Sequence, residues 1–127
     1  MMEHDVRSMQ PGPELDRQID EVLFGRTFTE FPRGFCYHNG RGWREAAPYS
    51  TTWEGMGLVV EEMQRRGLDV HIDFVTFGRN KLVDCAIIRN GLEMAHLSMM
   101  PNAPHAVAMA ALLALLALLA LRGGEQG

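Results

Sequence analysis

Hydrophobic and polar positions divide this chain into segments of changing period. Leu15, Ile19, Val22 and Leu23 recur at i, i+4, i+7 and i+8, which predicts a helix over residues 13–24 with one apolar stripe. Pro13 suits its first turn, Glu14 and Asp16 oppose the dipole there, and Gly25 ends it. Residues 34–44 place Phe35, Cys36, Tyr37 and Trp43 around Asn39-Gly40, a hairpin signal because both turn residues tolerate positive φ. Thr51 and Glu54 fit a capping box that opens a helix running to about Arg66, with Gly67 as its stop. The inner stripe of that helix reads as Trp53, Met56, Val60 and Met63, and Gly57 is placed for close approach to a neighbour. Glu61, Glu62, Gln64, Arg65 and Arg66 form its wet side.

The period then changes to two. Val70, Ile72 and Phe74 alternate with His71 and Asp73, which predicts a half-buried strand over 69–77. Residues 82–89 are almost continuously apolar and read as a central strand, and 92–100 return after Asn90-Gly91 as a third. After Pro101 a helix is expected over 104–122, with Asn102 or Ala103 at its start. The order is α-ββ-α-βββ-α, an α+β fold in which an antiparallel sheet is layered with helices as an α-β-α sandwich. Residues 13–122 form one domain in this reading. Residues 1–12 carry acids and no apolar run, so they read as a flexible tail and not as a secretory signal, and residues 123–127 as a second flexible tail.

The last helix is unusual. Ala106 to Leu121 are sixteen apolar residues without interruption, and the leucines repeat every three positions. A period of three drifts around a helix of 3.6 residues per turn, so the seven leucines from Leu112 to Leu121 cannot all face one sheet. Their complete burial would contribute roughly 10–20 kcal/mol, and a lone subunit would leave part of that surface wet. Three readings stand: a membrane span, for which it is short; a core helix whose surplus side joins subunits; and drift of a helix-favouring repeat. The second gives the expectation of a homo-oligomer through helix 104–122, with no membrane as partner.

Composition adds boundaries. The chain has 127 residues, a net charge of −4 and a pI near 5.7, which argues against duplex nucleic acid as partner. Cys36 and Cys85 are too few for a disulfide scaffold, lie in apolar strands and read as small core residues, which makes the cytoplasm the expected location. His71 and Asp73 share a strand face, but no third metal ligand is apparent, so no metal and no cofactor are expected. No nucleophile elbow, phosphate loop or dinucleotide fingerprint occurs, no catalytic residue is nominated, and the chain reads as a non-enzyme. Anion binding has more support. Arg33, Arg41 and Arg44 surround Tyr37 and Trp43; Arg79, Asn80 and Lys81 follow Phe77; and Arg89 closes a strand before Asn90. Guanidinium forks bind phosphate and aromatic faces stack on bases, so Trp43, Arg44, Arg79, Asn80 and Arg89 are candidate ligand-binding residues.

The segment Pro48-Tyr49-Ser50-Thr51-Thr52-Trp53 resembles the phage ABA-sandwich domain family, over roughly residues 14–121, although Thr52 stands where that family usually has an acid. The chain is also similar to the type-one anti-Thoeris sponges. The resemblance implies a phage or prophage anti-defence protein acting in the host cytoplasm, which sequesters a cyclic nucleotide or cyclic ADP-ribose immune signal without cleaving it. It adds Tyr49, Ser50, Thr51 and Trp53 to the candidate ligand-binding residues. The alternative is a small protein inhibitor of a host defence effector or nuclease.

Overall fold

The structure is a computed structural model and describes residues 2–126. A short helix, α1 (Glu3–Arg7), precedes α2 (Pro13–Leu23). A small antiparallel sheet follows, made of β1 (Thr29–Phe31), β2 (Gly34–His38) and β3 (Trp43–Arg44). Then come α3 (Trp53–Arg65) and a long antiparallel meander of β4 (Asp69–Phe77), β5 (Asn80–Arg89) and β6 (Leu92–Met100), with β5 central. The chain closes with α4 (Ala103–Gln126). The α+β class and the α-ββ-α-βββ-α order are those of the sequence reading, with α1 and β1 added.

Strand pairing decides which face is buried. Ile72 lies opposite Cys85 and Cys85 opposite Leu97, while Val70, Ile87 and Ala95 form the next row. Facing residues on an antiparallel ladder point the same way, so these rows build one apolar face. α4 lies on this face against β5 and β6, and α3 lies beside it against β4. Burial pushes the Cys85 thiol in that core up to about 12, as an inert small hydrophobe. The other face presents His71, Asp73, Asp84 and His96, and among the described residues no element covers it. α1 and α2 also pack against α4, so α4 is held among helices as well as on the sheet, and the small sheet meets α2 through Phe35. There Arg17 covers the ring of Phe35 at 4.2 Å and Arg26 that of Tyr37 at 4.6 Å.

This middle position explains the apolar repeat. α4 is surrounded by β5, β6 and all three other helices, and every residue from Ala103 to Leu115 is buried. A stripe is unnecessary where every side is covered. The surplus is longitudinal: Leu116 and Leu118 are half-buried, whereas Leu119 and Leu121 are 59 % and 48 % exposed. The window Ala103–Arg122 is long and apolar enough to cross a bilayer by composition, but 67 % of it is buried within the protein.

Four local expectations change. Residues 1–12 were expected to form a loose tail, yet Val6 is fully buried beneath α4's cover, and the buried His105 on α4 hydrogen bonds the Met9 carbonyl at 2.9 Å through Nε2. A carbonyl only accepts, so Nε2 carries the proton. α4 continues through Gln126, past the expected stop at Gly123-Gly124 and into the second expected tail. The first hairpin turns over Asn39–Gly42 instead of two residues, because the Asn39 side chain accepts from the amides of Arg41 and Gly42. Finally, Thr52 rather than Thr51 caps α3: its hydroxyl accepts from the Gly55 amide at 3.0 Å. The buried stripe of α3 runs through Gly55, Met56, Val59, Glu62 and Met63, leaving Trp53 outside.

Candidate functional site

The motif Pro48–Trp53 divides into an inward and an outward half. Tyr49 is buried, stacks on Phe24 at 5.3 Å, and donates its hydroxyl to Asp20 Oδ1 at 3.0 Å. Arg26 also reaches Asp20 and Tyr49. Ser50 is fully buried; its amide and hydroxyl both donate to Asp16 Oδ1, at 2.8 and 2.7 Å, and its Oγ accepts from the Gly12 amide. Burial pushes the Asp16 carboxyl above the ordinary aspartate range, against the pull of the two Ser50 donors. Burial likewise pushes the Tyr49 hydroxyl up, reinforced by Asp20. Tyr49 and Ser50 thus pin the turn to α2. The close approach belongs to Gly55, where a side-chain carbon would overlap the Pro48 carbonyl, and not to Gly57, around which there is open space.

Two concavities flank this turn. The larger, about 530 Å³, lies beside α2 and β2 and is bordered by Thr51. Its walls carry Glu14, Asp16 and Glu45 against Arg17 and Arg33, and Arg17 is already bridged to Glu14 and Glu21 at 2.7 and 2.8 Å. Three carboxylates facing two cations disfavour a phosphate. The smaller groove, about 290 Å³, lies between the start of α3, the β4–β5 hairpin and the start of α4. Trp53 and Phe74 form one wall, nearly parallel at 20° with centroids 6.0 Å apart, and they remain 61 % and 65 % exposed. Val83 and Ala103 form its buried floor, and Lys81 is its one charged lining residue.

The proposed site residues do not converge. Trp53 lines the aromatic groove. Arg79 and Asn80 stand at the tip of the same hairpin, next to Lys81 but outside the lining. Trp43 packs edge-on against Phe31 and His38 on the small sheet, and Arg44 bonds the Trp43 carbonyl there. Arg89 is eight residues along β5 from Lys81, about 26 Å at ~3.3 Å per residue. Phe74 falls in the apolar alternation of its strand, yet it is 65 % exposed, since the stack with Trp53 covers only part of its ring.

The groove also lies at the wrong end of α4 for the assembly expectation. Ala103 lines it, while the exposed Leu119 stands sixteen residues on, about 24 Å at 1.5 Å per residue. A pocket shared through the exposed end of α4 would not include Trp53. No protein-family model, no curated protein and no solved structure matches this chain.

Proposed function

We propose that this protein is a non-catalytic binding protein that sequesters a small anionic ligand with a flat ring, of the nucleotide class, against Trp53 and Phe74. The exposed, near-parallel aromatic pair beside Lys81 carries this reading. Aromatic faces stack on any base, at about 1–3 kcal/mol each, and the lysine answers one phosphate. A groove near 290 Å³ is at the small end of ligand pockets and suits one nucleotide-sized unit. Its lining contains no carboxylate, imidazole or thiol, so no pair of groups is present for general acid–base chemistry. The narrower assignment, to a cyclic nucleotide or cyclic ADP-ribose immune signal, rests on the resemblance carried by Pro48–Trp53.

Isothermal titration against mononucleotides, cyclic di- and trinucleotides and cyclic ADP-ribose isomers tests the proposal. Binding by at least one member, weakened in Trp53→Ala, is expected, with the ligand recovered unaltered. Silence across the panel removes the reading, and chemical change in the recovered ligand makes the protein an enzyme.

A further inference from the structure

α4 becomes progressively exposed after Leu115, and the surface around its emerging turns combines leucines with arginines. A second groove, about 350 Å³, runs along the emerging turns between α2, the end of α3 and the end of β5. Val22, Leu68, Leu115, Leu118 and Leu119 make it apolar. Arg66, Arg89 and Arg122 rim it, and none of its lining residues is acidic among the described residues. Arg66 is fixed in place, donating Nη2 to the Leu23 carbonyl at 2.7 Å and approaching Glu62 at 3.5 Å. Glu62 is drawn more closely to Arg65, at 2.6 Å, so it offsets Arg66 only in part. Arg89 forms no ion pair among the described residues. Val22, Leu119 and Leu121 are 40 %, 59 % and 48 % exposed.

Charge decides among the occupants of such a surface. A second copy docked by a twofold axis would bring three more arginines to the same seam and no lining carboxylate to answer them. Spanning a bilayer would strip α4 out of the core that buries it from Ala103 to Leu115. An anionic bilayer surface meets both features together: leucines at a helix end enter the headgroup–acyl boundary, and guanidiniums pair with lipid phosphates. The chain's net charge of −4 does not forbid this, since charges beyond about 8–10 Å are largely screened at ordinary salt. We infer that this end of the molecule docks on an anionic lipid surface, with Leu119 and Leu121 inserted and Arg66, Arg89 and Arg122 on the phosphates. This inference is independent of the aromatic groove at the other end of α4.

The test is sedimentation of the full chain with vesicles of phosphatidylcholine alone or mixed with phosphatidylglycerol, alongside light scattering of the free protein. Binding is expected only to the phosphatidylglycerol vesicles and is expected to weaken with salt. At about 1 kcal/mol per basic residue near such a surface, the double variant Arg89→Gln/Arg122→Gln should bind about 30-fold more weakly. Leu119→Ser/Leu121→Ser should lose about tenfold or more while keeping its far-ultraviolet dichroism, since both positions are exposed. The inference is overturned by absent binding, by equal binding to both vesicle types, by unchanged binding of either double variant, or by a dimer that the leucine variant dissolves.

Discussion

Tyr49 and Trp53 are four residues apart in one motif, and the structure gives them opposite environments. Tyr49 is turned inward, stacked on Phe24 and hydrogen bonded to the buried Asp20, so its ring and hydroxyl both hold the turn to α2. Trp53 opens α3, stacks on Phe74 at the rim of the sheet, and leaves most of its surface to water. Both are aromatic residues beside a helix start. What separates them is the polar partner: a buried carboxylate exists for the tyrosine, while the indole faces a groove without one. Aromatic residues near a short motif are therefore not one functional set, and a substitution at each should report a different property.

The sharpest break between the two regions is Tyr49→Ala. Removing a fully packed ring and leaving Asp20 with one partner fewer should cost about 3–5 kcal/mol in chemical denaturation. A loss near zero would show that the turn is not pinned as described. Gly55→Ala should follow at about 1–3 kcal/mol, because the added carbon meets backbone at Pro48; Gly57→Ala, in open space, should be neutral or slightly stabilising. Trp53→Ala should sit at the other extreme, with stability changed by about 0.5 kcal/mol or less but nucleotide affinity reduced by about 5–150-fold, for one lost stack of 1–3 kcal/mol.

Asp16 sharpens the comparison through pH. Its raised pKa means that folding favours the protonated form, so the stability it supplies in acid is lost as pH rises through and above the ordinary aspartate value of 3.8. Asp16→Asn keeps an oxygen for Ser50 and cannot ionise. Its melting temperature relative to the unchanged protein should therefore climb from acid to neutral pH, and a flat or falling difference would contradict the dominance of burial.

Much of this fold was legible from period and punctuation. The three long strands followed from one alternating and one continuous apolar run with a return after Asn90-Gly91, α2 from its stripe and Gly25, and α3 from its cap signal and Gly67. The details that failed depend on tertiary neighbours. Thr51 and Thr52 are both credible caps, and the Gly55 amide decides between them by donating to the Thr52 hydroxyl. Glu62 looked wet because it is charged, yet it turns inward with its carboxylate forked by Arg65 and Arg66, and the Arg65 hydrogen bond holds its pKa below the usual glutamate range. Circumferential excess in α4 was inferred from a lone sheet; α1 has no apolar stripe of its own to announce that it completes the cover. As for the site, Trp53 was nominated by a motif, but its partner Phe74 comes from a strand whose alternation gives no hint of where the covering helices begin. The basic loops share a composition without sharing a place.

The chain has two tryptophans, and each belongs to a different aromatic cluster: Trp53 with Phe74 and Trp43 with Phe31 and His38. The indole N–H resonances of an isotopically labelled sample, followed while the binding nucleotide is added, therefore separate the groove from its rival directly. The Trp53 signal should move with increasing ligand while the Trp43 signal stays in place. Movement of Trp43 alone, or of neither indole at ligand levels that saturate the protein, would contradict binding in the Trp53–Phe74 groove.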